Sequence, residues 1–183
     1  MSVRPVRIYG DPVLRAKTRE VTVFDESLRR LVADLRETMA AYHGVGLAAN
    51  QVGVEERVFV VDVPLEDERR AQLTVVNPVL DRRSGSESAE EGCLSIPGIY
   101  EEVSRSQAVR VRGADQHGRP FELVAEGYLA RAIQHEADHL DGVLFVDRLS
   151  PLKRQFLRGA LEALARGEIP EGYHPPDAPG GAI

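Results

Sequence analysis

His135-Glu136-Ala137-Asp138-His139 sets two histidines four positions apart, with a glutamate beside the first. On a helix, at roughly 100° per residue, that spacing puts both imidazoles on one face, one turn apart. Two such rings can grip a single metal ion, and the glutamate stands close enough to exchange a proton with a water held there. A tetrahedral catalytic site needs a third protein ligand and one open position. The longer H-E-x-x-H-x-x-G-x-x-H pattern fails here: Gly142 matches its glycine, but Phe145 stands where its third histidine belongs. Two other donors remain, Glu162 downstream and Cys93, the single cysteine of the chain. A lone cysteine is ordinarily a small buried hydrophobe. A glutamate-liganded peptidase site and a cysteine-liganded site therefore both stay open on these residues. A purely structural metal site would need a fourth ligand, yet His43, His117 and His174 fall at a helix end, a hairpin turn and a tail.

The elements around these residues are legible in outline. On a helical wheel Tyr128, Arg131, Ala132 and His139 share the side of His135, while Leu129, Ile133, Ala137 and Leu140 gather nearly opposite. That helix has an apolar face to bury and a second face for a metal. Gly127 precedes it, and Gly142 suits a left-handed residue after its end. Ser27 can cap an earlier helix, in which Leu28, Leu31, Val32, Leu35 and Met39 recur at helical spacing until about His43 and Gly44. Residues 7–14 read as an extended or turn-rich arm. Strands are expected at Val58 to Val63 and Leu73 to Val76. A hairpin pairs Val109 to Val111 with Phe121 to Val124 around a turn at Asp115 to Gly118. Ser150-Pro151 opens a C-terminal helix whose stripe Leu152, Phe156, Leu157, Ala160, Leu161 and Leu164 should pack on the domain. The order favours an α+β domain.

Three separated blocks carry a resemblance. Gly44-Val45-Gly46-Leu47-Ala48-Ala49-Asn50-Gln51, Glu91-Gly92-Cys93-Leu94-Ser95 and Gln134-His135-Glu136-Ala137-Asp138-His139-Leu140 together resemble the three motifs of the bacterial peptide deformylases, in order and at compatible separations. The resemblance runs from about Pro5 to the helix after Pro151. It implies a central metal-binding H-E-x-x-H helix packed by antiparallel or mixed β-sheets, with a C-terminal helix. It further implies a hydrolase that removes the formyl group from formyl-methionine of newly made proteins and releases formate. Cys93, His135 and His139 would be the metal ligands and Glu136 the acid–base residue. Gln51 and the Leu94 backbone N–H would stabilise the oxyanion. Gly46 would bring its backbone close to substrate, where a side chain would collide. Tyr128, Arg131 and Ala132, placed beside the histidines, would shape the methionine pocket, with Arg131 laying its stem along it and its charge outward. Glu91 is a candidate to orient a ligand. The family points to Fe²⁺ in the cell, with Ni²⁺, Co²⁺ or Zn²⁺ as alternatives. N-formyl-methionyl nascent peptides would be the partners, with transient ribosome contact through the basic C-terminal helix.

Composition fits that expectation. A chain of 183 residues, 43% hydrophobic, can bury one sizeable core. The boundaries read as one catalytic domain over 1–169 and a Pro/Gly-rich disordered tail over 170–183. One cysteine excludes an internal disulfide framework, and a net charge of −6 speaks against a DNA-binding surface. With no apolar leader or membrane-length span, a cytoplasmic protein is expected.

Overall fold

The apolar run Val58-Phe59-Val60-Val61 leaves no face for water, and the fold buries both faces of the strand it forms. The computed structural model describes residues 2–65, 69–170 and 173. In chain order its main elements are α1 (Glu26–Ala41), β1 (Gly46–Ala48), β2 (Val58–Pro64), β3 (Arg70–Ser84), β4 (Glu87–Cys93) and β5 (Ile96–Arg105). Then come β6 (Ala108–Ala114), β7 (Pro120–Glu126), α2 (Gly127–Leu140) and α3 (Pro151–Ala165). One antiparallel sheet has the order β1-β2-β3-β6-β7, and β4 and β5 form a separate antiparallel ribbon. Val58 and Val60 of β2 join Leu31 and Leu35 of α1 in one core cluster. Phe59 and Val61 join Ile133 and Leu140 of α2 in another. The α+β expectation holds, with the H-E-x-x-H helix in the middle of the fold.

The hairpin forms as expected. Val109 and Val111 of β6 are buried, whereas Arg110 and Arg112 turn outward to share Asp81 on β3. Gly142 takes the left-handed conformation (φ 71°) just beyond α2. Two expectations need correction, and one strand had no expectation at all. Asp25, not Ser27, caps α1, its carboxylate accepting from the Leu28 amide at 3.1 Å. Aspartate caps as well as serine, and it starts the helix earlier. The polar stretch 82–90 contains most of β4, a strand without an apolar signal of its own. On α3 only Leu161 and Leu164 of the stripe are buried; Leu152 and Phe156 are 62% and 79% exposed. The helix meets the domain through its C-terminal half, while Ser150 caps its start by accepting from the Lys153 amide.

No helix among the described residues is long and apolar enough to cross a membrane. Of the expected tail, only Pro170 and Tyr173 lie within the described residues.

Candidate active site and metal centre

Three elements converge on one point. His135 and His139 project from the same face of α2, and their Nε2 atoms stand 3.3 Å apart. Cys93 arrives at the end of β4, its Sγ 3.3 Å from His139 Nε2. The three donor atoms all lie within 4.8 Å of one another. Four-coordinate bonds of about 2.0–2.1 Å to nitrogen and 2.3 Å to sulfur imply tetrahedral edges of about 3.3–3.6 Å. The cluster therefore matches the dimensions of a single bound ion. Glu162, the rival ligand, lies on α3 with an exposed side chain paired to Arg158 at 2.8 Å. The glutamate-liganded alternative does not assemble.

Cys93 reaches this point because the β4–β5 ladder slips between Glu91 and Cys93. Such an irregularity re-aims the side chains beside it. Gly92 sits in the slip, and a Cβ there would stand 2.5 Å from the Tyr100 ring. Glu91 is buried and aims Oε2 at His135 Nδ1, 3.0 Å away. This contact leaves Nε2 of the ring turned to the cluster. Arg105 grips both Glu91 oxygens at 2.7 and 2.8 Å and reaches Asp138 at 2.6 Å. Although burial opposes ionisation of Glu91, the hydrogen bonds from Arg105 and His135 hold it well below the usual carboxylate range. Burial would likewise depress His135, but Cys93 and Glu91 outweigh it and push the ring up to about 10. His139, buried beside that charge, is shifted well below its usual value. A cation taken up by these three donors would have to compete with the proton on His135, so metal uptake should strengthen as pH rises.

Glu136 is buried, and burial pushes its carboxyl up to about 7. Its Oε2, together with His139 Nδ1 and Asn50 Oδ1, is a buried polar atom with no partner among the described residues. An unpaired carboxylate oxygen this deep needs a water, a ligand or a proton. Gly46 on β1 lies against it: a Cβ built there would strike the Glu136 carboxylate. The collision expected with substrate is therefore first a collision with Glu136. Gly46→Ala should displace that carboxylate and cut turnover at least about tenfold with metal content retained, since misplacement by ~1 Å can cost ~10²-fold. Parallel metal analysis and formyl-peptide kinetics would read this, and unchanged turnover would show that Glu136 tolerates the shift.

Gln51 lies in the short 3-10 turn Ala49–Val52. Its Oε1 accepts from the Ala48 amide at 2.9 Å, which fixes the orientation of the side-chain amide. Its Nε2 donates to Ser95 Oγ at 3.1 Å and stands 3.6 Å from Cys93 Sγ. Leu94 and Ser95 form the turn between β4 and β5, and Leu94 borders a cavity of about 700 Å³ that opens onto the cluster. Tyr128 borders that cavity as an exposed residue, and Ala132 as a buried one beside His135. Arg131 borders it too, but its charge does not point outward. Its guanidinium is buried on Glu91 (2.7 Å), the Val103 carbonyl (2.9 Å) and the Glu87 carbonyl (2.7 Å). A buried carboxylate needs a counter-charge, and Arg131 supplies a second one. Tyr173 also borders the cavity, its hydroxyl pushed up to about 12 by burial.

Several contributors carried no assigned role in the sequence, although Asn50, Ser95 and Asp138 lie within its motif blocks. Asn50 donates at 2.6 Å to the carbonyl of His139, capping the end of α2 where carbonyls lack intrahelical partners. Ser95 is fully buried against Gln51. Arg105 and Asp138 extend the Glu91 contact into a buried ion network that also takes in Arg148. Glu91→Gln would remove the charge at the centre of that network. Metal retention should weaken about 10–100-fold, the usual cost of losing a ligand's supporting partner. Competition with a chelator measures it, and wild-type retention would mean that Glu91 does not support His135.

Comparison with known proteins agrees with this geometry. The family model for polypeptide deformylase matches residues 3–155. The peptide deformylase of Alkalilimnicola ehrlichii is 48% identical over 166 residues, covering 91% of this chain and 93% of the relative. That of Thermotoga petrophila is 48% identical, covering 88% and 96%. Among solved structures, the peptide deformylase of Thermus thermophilus superposes with a TM-score of 0.83 at 46% identity, covering 90% of this chain and 99% of that one. The Legionella pneumophila structure gives 0.81 at 43%, covering 91% and 97%. With the match spanning all three motif blocks, the chain belongs to the polypeptide deformylase family, metal-dependent hydrolases that remove the N-terminal formyl group from nascent proteins.

Proposed function

We propose that Cys93, His135 and His139 hold one divalent ion, and that Glu136, Gln51 and the Leu94 amide perform deformylation around it. The observation that carries this reading is the triangle of donor atoms beside the unpaired Glu136 oxygen. When bound, the ion would polarise the formyl carbonyl and make water a nucleophile near neutral pH. Glu136 removes the proton from the attacking water, its raised pKa suiting it to hold that proton. Gln51 Nε2 and the Leu94 N–H donate to the oxygen that gains charge as the formyl carbon becomes tetrahedral. Gln51 is already oriented by Ala48, so little reorganisation is needed as that charge develops. Glu136 then delivers its proton to the methionine nitrogen as the C–N bond breaks, leaving formate and a free amine. Tyr128, Ala132 and the stem of Arg131 form the wall for the methionine side chain, and Gly46 keeps Glu136 in reach.

Fe²⁺ is the proposed cellular ion, since thiolate and imidazole suit it, with Ni²⁺, Co²⁺ and Zn²⁺ fitting the same donors. Metal analysis of protein purified without oxygen, paired with formate release from a formyl-methionyl peptide, tests both claims at once. Zinc alone accompanying full activity would overturn the iron assignment, and no formate release with any of the four ions would overturn the reading of the site. The catalytic unit is residues 1–169, working in the cytoplasm where nascent chains emerge. The exposed Arg154 and Arg158, one turn apart on one face of α3, support a transient ribosome contact through that helix. Co-sedimentation with ribosomes at low salt should show it, and Arg154→Glu should abolish it. If neither holds, that contact is wrong.

A further inference from the structure

A second cavity, of about 230 Å³, lies among Arg83, Ser86, Ser104, Arg105, Gln134 and Arg148. It shares no lining residue with the substrate cavity. We propose that it binds a phosphate-sized tetrahedral oxyanion, either inorganic phosphate or the phosphate group of a small monoester. Three guanidiniums line it, those of Arg83, Arg105 and Arg148, and the carboxylates that reach them among the described residues are Glu91 and Asp138. Arg105 and Arg131 divide Glu91, and Arg105 and Arg148 divide Asp138. Arg83 donates to the neutral Gln134 amide at 3.2 Å. Glu87, opposite Arg105 in the β4–β5 ladder, is exposed and turns only its backbone carbonyl to Arg131. A local excess of positive charge on a chain of net charge −6 is a site for an anion.

The donors are also held in place. Gln134 is buried, and its Nε2 is tied to the carbonyls of Ser106 (2.8 Å) and Ala130 (3.0 Å). Its Oε1 therefore presents a fixed acceptor that steers Arg83, whose remaining N–H groups meet no carboxylate among the described residues. Ser86 Oγ and Ser104 Oγ are 2.9 Å apart. Only one of their two protons lies between them, so the pair keeps an O–H to give. Planar guanidinium forks and hydroxyl donors around a small polar cavity match the oxygens of a phosphate group. The volume holds one such ion with a few waters, given about 30 Å³ per water.

Calorimetric titration of the metal-loaded protein with inorganic phosphate, and separately with glycerol phosphate, tests the site. Saturable binding is expected for at least one, weakened at least about tenfold by Arg83→Ala, the loss of one charge-assisted contact. Ser104→Glu should weaken it as much by placing a carboxylate in the cavity. Arg83 is exposed, so that variant should stay folded and keep its formyl-peptide turnover in phosphate-free buffer. Tighter binding of inorganic phosphate would assign the free ion, and tighter binding of the ester a monoester. Absence of saturable heat with both, or unchanged affinity in Arg83→Ala, would overturn the proposal. So would binding that vanishes in Cys93→Ala but survives in Arg83→Ala, because the anion would then sit at the metal.

Discussion

Glu136→Gln is expected to keep its metal and bind formyl-methionyl peptides normally while losing at least ~10²-fold in turnover, the lower end of what a positioned acid–base group contributes. The separation follows from geometry. Glu136 adjoins His135 in sequence, yet the donor triangle consists of Cys93, His135 and His139. Its carboxylate lies against Gly46, and Oε2 has no partner among the described residues. Glutamine preserves size and hydrogen bonding but cannot take a proton, so the ligands stay and the proton transfer goes. The pH profile sharpens the test. Burial raises the Glu136 carboxyl to about 7, and a nearby cation pulls it back down. A base must be ionised to act, so wild-type kcat/KM should fall as pH drops through that pKa. The residual activity of Glu136→Gln should lack that acidic limb. Metal loss in the variant would make Glu136 a support for the ligands. Wild-type turnover would move proton transfer to another group.

What was legible in the chain was whatever has a period or an unusual pair. The α2 helix showed both, because its core-facing stripe and its two histidines fall on separate faces of one wheel. β2 announced itself as an unbroken apolar run, which is what burial between two helices demands. The hairpin of β6 and β7 alternated because one face meets water. β4 offered no such sign. Its residues are mostly polar, and it is held by pairing with β5 and by the buried contacts of Glu91. Strands stabilised by a partner and by ion pairs have no pattern of their own to read.

The candidate site divides the same way. His135, His139 and Glu136 stood out because their residue types are rare in that combination, whereas Cys93 was singled out from Glu162 only by the resemblance to the deformylases. Arg105, Ser95 and Asn50 did not stand out, since an arginine at a strand end or a serine in a turn is ordinary until tertiary contacts give it a partner. Arg131 is the instructive error. A wheel gives the direction in which a side chain leaves the helix but not the charge it will meet. The buried Glu91 drew its guanidinium inward, against the expectation that a long cation keeps its head in water.

Cys93→Ala should cost most of the bound metal and reduce formate release to near background, the largest effect expected here. Two imidazoles with their Nε2 atoms 3.3 Å apart remain in this variant, but a pair of neutral donors lacks the charge that a thiolate contributes to holding a divalent cation. The fold should survive, because Cys93 is only half-buried at the edge of its core cluster and the change removes a single sulfur. A melting temperature near that of metal-free wild type, together with metal stoichiometry after desalting, separates ligand loss from unfolding. Glu162→Ala is the matched control: its carboxylate is exposed on α3 and should leave metal and turnover unchanged. The same thiolate makes the wild type sensitive to peroxide, which should convert Cys93 to an oxidised form and release the ion. Full metal occupancy in Cys93→Ala, or activity persisting after mass spectrometry shows Cys93 oxidised, would remove the cysteine from the ligand set and leave the two histidines in need of another third donor.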